Sequence, residues 1–242
     1  MIVKIVLQLD LPADLRTHNI GSLLHGVIME RLHPETASML HQYRYNPLKQ
    51  RLYFEGEHTF WEVVSLEGRL SEELLIVFEG LEQIMLRHRQ KGVSILGVVM
   101  ERIELGDFVK VAMEVEARRY VKLRVLTPMS FKVDGNYGIF PDVRMMIRSV
   151  MLTFDYFSED MKLYDYETLD FLAENVRIVD YNLRSTRFEL ERVKIPAFRG
   201  SMTLRVDGNA QIQSLVNLIF AYGELSGIGI KTSMGMGGVK RG

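Results

Sequence analysis

The order in which strand-like and helix-like apolar periods follow one another constrains this chain more than any other feature. Alternating apolar residues predict a strand over residues 1–10, and a 3.6-residue period predicts a helix over Ile20–Leu32, ended by Pro34. A short helix is expected over Glu35–His41. Two alternating segments near 51–56 and 59–67 flank Glu55-Gly56-Glu57 and suit a hairpin. A longer helix over Ser71–His88 and a strand over 93–105 complete the series. Strand, helix, strand, strand, helix, strand is the split β-α-β order, an antiparallel sheet with helices on one face.

The remainder echoes that order. A strand over 119–127 leads into Pro128-Met129-Ser130 and a hairpin at Asp134-Gly135-Asn136. Helices are expected near Asp142–Tyr156 and Glu167–Glu174, then strands over 177–184, 186–194 and 200–206, a helix over Ala210–Leu225 and a last strand at 235–241. The chain therefore reads as α+β, dividing near 108–117 into units of 1–108 and 118–242.

Composition narrows the function classes. With 242 residues, 47% apolar and 25% charged, the sequence resembles ordinary soluble globular proteins. The absence of cysteine excludes a disulfide framework and thiolate chemistry and favours a reducing compartment. No apolar run approaches a membrane span, and the amino terminus lacks a secretory cleavage signature, so a cytoplasmic protein with no membrane partner is expected. The net charge of −1 hides an asymmetry: residues 177–242 carry 10 Lys+Arg against 5 Asp+Glu. A local basic field of that kind can steer a polyanion.

The segment Gly227-Ile228-Gly229-Ile230-Lys231-Thr232-Ser233-Met234-Gly235-Met236-Gly237-Gly238 follows the last helix pattern. Glycines at 227, 229, 235 and 237 fit a backbone that turns sharply or approaches something closely, and Lys231 adds charge to a turn whose N–H groups can face an anion. A flexible tail or a tight helix-to-strand turn is the plainer reading, against which Met234 and Met236 argue by pointing to packing.

All six histidines (His18, His25, His33, His41, His58 and His88) lie in the first half. None has a metal-ligand spacing, so no metal and no cofactor is expected. His41 precedes the basic, tyrosine-bearing stretch Gln42-Tyr43-Arg44-Tyr45-Asn46-Pro47-Leu48-Lys49, and its imidazole suits proton transfer near neutral pH. From the residues alone, helix capping or surface hydrogen bonding is the simpler reading. His25 sits in an apolar helix pattern beside Gly26, where a satisfied core histidine is the simpler alternative. Arg199 beside Phe198 pairs a phosphate-binding cation with a stacking ring, and Arg144 and Arg148 share a helix face one turn apart. Tyr181, Arg184 and Arg187 are weaker candidates of the same kind, and solvated surface charge is the alternative for all of them.

The terminal glycine segment resembles the signature of the CRISPR-associated protein 6 family, the CRISPR repeat-processing endoribonucleases. Gly227-Ile228-Gly229, a Lys231-bearing stretch and Gly235-Met236-Gly237 carry the likeness, with Pro34 and Leu40-His41 at the other end of the chain. The resemblance implies two tandem ferredoxin-like, RNA-recognition-like domains with a carboxy-terminal glycine-rich loop. It implies cleavage of CRISPR repeat RNA without metal to give crRNA, with His41 as general acid or base, His25 as its complement and Lys49 as cationic stabiliser. RNA contacts are expected from Arg144, Arg148, Arg199 and Lys231, with Gly227, Gly229, Gly235 and Gly237 allowing close RNA approach. Protein partners would be a CRISPR interference complex or a second copy of the chain. A non-catalytic RNA-binding or scaffold subunit is the alternative. An enzyme for a small phosphorylated ligand fits less well, because the loop lacks the Gly-x-x-x-x-Gly-Lys-[Ser/Thr] arrangement.

Overall fold

The computed structural model describes residues 1–114, 117–190 and 193–242. In the first half, β1 (Ile2–Asp10), β2 (Leu48–Glu55), β3 (His58–Ser65), β4 (Gln83–Leu86) and β5 (Lys91–Ile103) form an antiparallel sheet in the order β2-β3-β1-β5-β4. In the second, β6 (Tyr120–Met129) runs into a small hairpin of β7 (Phe131–Val133) and β8 (Asn136–Gly138). With β9 (Val176–Leu190), β10 (Val193–Val206) and β11 (Val239–Arg241) it makes a second antiparallel sheet in the order β11-β6-β10-β9, in which β6 pairs with β10 and β11. Both sheets follow one plan: the first strand of each half lies between the second strand of that half's hairpin (β3 or β10) and the strand that closes the half (β5 or β11). The molecule is α+β with two sheets.

Alternation sets the register of each sheet. Along β1, Val3, Ile5, Leu7 and Leu9 are buried, so a one-residue slip would turn that row toward solvent. Against this face pack α1 (Gly21–Met29), α2 (Pro34–Leu40) and α3 (Gly68–Phe78), through Leu24, Ile28, Leu40, Leu70, Leu74 and Phe78. The second core collects α4 (Leu105–Glu114), α5 (Val143–Phe157), α6 (Tyr166–Asn175) and α7 (Ala210–Ser226) around Phe154, Phe220 and Tyr222. Side-chain caps start five of these helices: His33 for α2, Glu67 for α3, Asp142 for α5, Asp165 for α6 and Asn209 for α7. Ile2, Val64 and Leu66 cross from the first sheet into the second core, so the halves share apolar burial.

Three expectations change. The helix expected over Ser71–His88 stops at Phe78, because Gly80 takes a left-handed φ of +66° and redirects the chain into β4. There Ile84 and Leu86 are buried while Gln83 and Met85 are exposed, a two-residue alternation that a helical reading obscures. The three strands expected between 177 and 206 are two long ones, in which the Gly200 region absorbs a register shift instead of ending a strand. The stretch 108–117, expected to link the halves, carries much of α4, whose Val109 and Ala112 are buried in the second core; residues 115–116 lie outside the described residues.

Candidate active site and nucleic-acid interface

The glycine segment is a packed loop, not a tail. Its backbone N–H groups are largely spent inside the protein: Ile228 on Gly237 O, Gly229 on Ser149 Oγ, Ile230 on Ser130 O, Gly237 on Pro128 O and Gly238 on Thr127 Oγ1. The space beside the glycines is filled as well. A Cβ on Gly237 would overlap the Ile228 carbonyl, and one on Gly229 the Ser130 carbonyl. Gly227 meets the Thr232 side chain, and Gly235 lies 3.3 Å, measured from a notional Cβ, from the Gly21 Cα. The expectation that Gly227, Gly229, Gly235 and Gly237 leave room for RNA is therefore corrected: protein backbone and side chains occupy that room. Lys231, at φ +56°, is exposed at the loop's turn.

This loop covers one face of α1. Gly21 and His25 stand one turn apart and so share a face. A Cβ on Gly21 would overlap the Met234 carbonyl, so glycine is what lets the loop reach the helix. One turn on, the half-buried His25 ring feels the Ser233 carbonyl and the charge of His41. Burial pushes its pKa below the ordinary histidine value; the Ser233 carbonyl works against that shift, and His41 adds to it. Its Nδ1 is buried with no hydrogen-bond partner. His41 is the exposed C-terminal cap of α2, and Asn46 steadies the turn after it by donating to Leu40 O at 3.2 Å and accepting from Leu48 N at 2.9 Å. The same turn is stapled to α5: Tyr156 lies 6.3 Å from Tyr43 and 5.3 Å from Tyr45, centroid to centroid. Ser233 of the glycine loop thus lies against the His25 ring, and His41 is near enough for its charge to act on that ring.

Lys49 is placed differently from its expected role. It is 7% exposed, and its Nζ donates to Thr232 Oγ1 at 3.0 Å, anchoring the loop from beneath. An ammonium group committed there does not reach out to a phosphate. Loss of solvent brings its pKa down from 10.5 to about 7. The sign for stability follows. Between pH 7 and 10.5 the unfolded chain holds a proton on Lys49 that the folded chain has released, so stability rises with pH across that window, by up to about 1.4 kcal/mol per unit. Urea melts at pH 7 and 9 should show this gain in the wild type, and Lys49→Met should lose it.

Of the remaining candidates, Arg144 is paired with Asp170 and lies over the Tyr166 ring, while Arg148 is exposed on the same helix. They do not join the histidines. Arg199 lies elsewhere, in a cleft of about 510 Å³ where the two sheets meet. Register places Arg199 opposite Arg184, and Ser201 opposite both Arg124 and Asn182. No ion pair among the described residues involves Arg124, Arg184 or Arg199. Burial and the neighbouring Arg184 pull the Arg199 pKa down. The first half contributes Tyr53, Phe54 and His18 to the same cleft. His18 Nδ1 donates to Leu52 O at 2.9 Å, and burial, aided by Arg199 and Arg184, brings its pKa to about 4. Three arginines beside aromatic rings are the chemistry of a single-stranded nucleic-acid groove. Sequence reading missed Arg124, Tyr53 and Phe54, because only the packing of one sheet beside the other brings them together. Tyr181 is exposed and packs on Phe140, away from that cleft.

Comparison with known proteins bears on this arrangement. Residues 123–239 match the family model described as CRISPR-associated endoribonuclease Cas6. The chain is 30% identical over 233 residues to a CRISPR-associated endoribonuclease Cas6 of Streptococcus thermophilus, covering 96% of this chain and 94% of that one. It is 26% identical to the protein of the same name from Mycobacterium tuberculosis, covering 98% and 77%. Among solved structures, a Thermus thermophilus Cas6 superposes with a TM-score of 0.74 at 22% identity, over 100% of this chain and 98% of that one. A Cas6 product complex gives 0.81 at 18%, with full coverage of both chains. These last two likenesses concern the fold.

Proposed function

Because the chain belongs to the family of CRISPR-associated Cas6 endoribonucleases, we propose that it cuts CRISPR repeat RNA with His25 and His41 as the proton-transfer pair. Its activity is RNA cleavage by an endoribonuclease. What supports the finer reading is the packing of the glycine loop on α1 at Gly21, one turn from His25, with His41 near enough for its charge to act on the His25 ring.

The chemistry needs little beyond these groups. The ribose 2′-OH at the cut site attacks the adjacent phosphorus, forming the P–O2′ bond as the P–O5′ bond breaks. One imidazole takes the 2′-OH proton and another gives a proton to the departing O5′. His25, held neutral by burial, suits the base, and exposed His41 suits the acid. The products are a 2′,3′-cyclic phosphate and a 5′-OH, and no external nucleophile enters. Lys231, exposed on the loop beside Ser233, is the cation we place near the developing phosphorane charge. Lys49 holds the loop instead. The RNA strand leading to the cut runs through the arginine cleft, with crRNA retained there. Each half is read as a ferredoxin-like domain, a reading supported by the shared strand order. The division into two domains is kept, with the boundary moved from 108 to just before α4, whose core contacts assign it to the second domain.

The test is cleavage of a CRISPR repeat in EDTA. Cutting should persist, and replacing the 2′-OH at the cut nucleotide with hydrogen should abolish it while binding remains. A deoxy substrate that is still cut would refute the internal nucleophile.

The cleft makes a separate prediction. Arg199→Ala and Arg184→Ala should each weaken repeat binding and reduce the slope of log affinity against log salt by about 0.7, the value for one phosphate contact on a single strand. Filter binding across a salt series measures this. Arg144→Ala, already paired with Asp170, should change the slope less.

A further inference from the structure

Beneath the contact between α1 and the glycine loop lies one fully committed side chain. Gln50 of β2 is 4% exposed. Its Nε2 donates to Gly21 O at 2.9 Å, in the first turn of α1, and to Ser233 O at 2.9 Å, in the loop. Its Oε1 accepts from Trp61 Nε1 at 2.8 Å. An indole nitrogen can only donate, so Trp61, itself fully buried, fixes which end of the amide faces which way. Both donors of Gln50 are then aimed at the two elements that flank His25.

The acceptor in the loop is the Ser233 carbonyl, the same group that faces the His25 ring. We propose that Gln50, oriented by Trp61, is a positioning residue for RNA cleavage: it holds the Ser233 carbonyl against α1 and so fixes where the His25 imidazole stands. The clamp is buried and touches no RNA. It acts through His25, and so rests on the reading that His25 transfers a proton. Neighbouring bonds serve the same contact, since Lys49 holds Thr232 and Gly21 admits the Met234 carbonyl. The charged and titratable groups facing His25 are the His41 ring and, across the loop, Lys49 through Thr232. Neither supplies the directional bond that Gln50 gives to Ser233.

Two variants of the full chain test the clamp. Gln50→Met keeps the length and removes every hydrogen bond, while Trp61→Phe keeps an aromatic ring in place and removes only the donor that orients the amide. Trp61→Phe decides the matter if Gln50→Met does not fold. The first readout is NMR titration of the histidine rings without RNA. Burial is the main cause lowering the His25 midpoint, so a loosened loop that admits water should raise it toward the ordinary value. The second is single-turnover cleavage at saturating repeat RNA, which should fall by about 10–100-fold, as misplacing a reacting group by roughly an ångström does, with affinity nearly constant. A lower melting temperature with an unmoved His25 midpoint and full cleavage would show mere structural packing and overturn the clamp. A raised midpoint with undiminished cleavage would overturn the assignment of His25 to the reaction, and the positioning role with it.

Discussion

His41→Ala should lower the single-turnover cleavage rate of a CRISPR repeat by about 10²–10⁴-fold, the range lost when a general acid or base is removed. Affinity should change little, because neither His41 nor His25 lines the arginine cleft and His41 is exposed at a helix end. The fold should also be indifferent, since the cap position keeps its backbone bond to Ser38 O whatever the side chain. A rate near that of the wild type would remove His41 from the reaction. It would favour a chain that binds and holds RNA without cutting it. A leaving-group acid can be identified further by substrate chemistry: a 5′-thio leaving group, which departs without a proton, should restore much of the rate lost by His41→Ala.

The second large effect concerns the joint between the halves. Arg51 is buried on β2, pairs with buried Glu62 on β3 and donates to the Glu224 carbonyl at the end of α7. Arg51→Ala leaves the Glu62 carboxylate buried without its partner, and removal of one member of a buried pair costs about 3–5 kcal/mol. Urea unfolding of the variant should show that loss. Replacing both members together, with Arg51→Met and Glu62→Met, should cost clearly less, because no charge is then stranded. Equal losses in the single and double variants would mean that packing, not charge, dominates at this joint.

The outline of the fold was legible because it rests on local pattern. The alternation of Val3, Ile5, Leu7 and Leu9, the periodicity of α5 and α7, and the caps Asp142 and Asn209 are all short-range signals. The errors came where one residue overrides its window. Gly80 breaks an apparently continuous helix, and the Gly200 region bends a strand without ending it. The site was legible in part: His41, His25 and the glycine segment stand out by residue type and family resemblance. Their mutual placement did not, since it depends on bonds between distant segments such as Gln50 to Ser233 and Lys49 to Thr232. Lys49 misled because a sequence shows a positive charge and not its burial. The arginine cleft was hidden for a related reason: Arg124, Arg184 and Arg199 become neighbours only through the pairing of β6, β9 and β10.

The contact of Gly21 with Met234 joins segments about two hundred residues apart along the chain, and this has a consequence for when the molecule becomes active. Contacts so distant along the chain close late in folding, after helices and hairpins have formed locally. During synthesis, α1 and α2 emerge with both histidines on them, but the segment that covers His25 is made about two hundred residues later. A partly translated chain therefore carries its reactive side chains without the lid of backbone that sets them in place. In a refolding experiment, helical and sheet signals should recover first and cleavage last, so that the nuclease is silent until the whole chain has closed on itself.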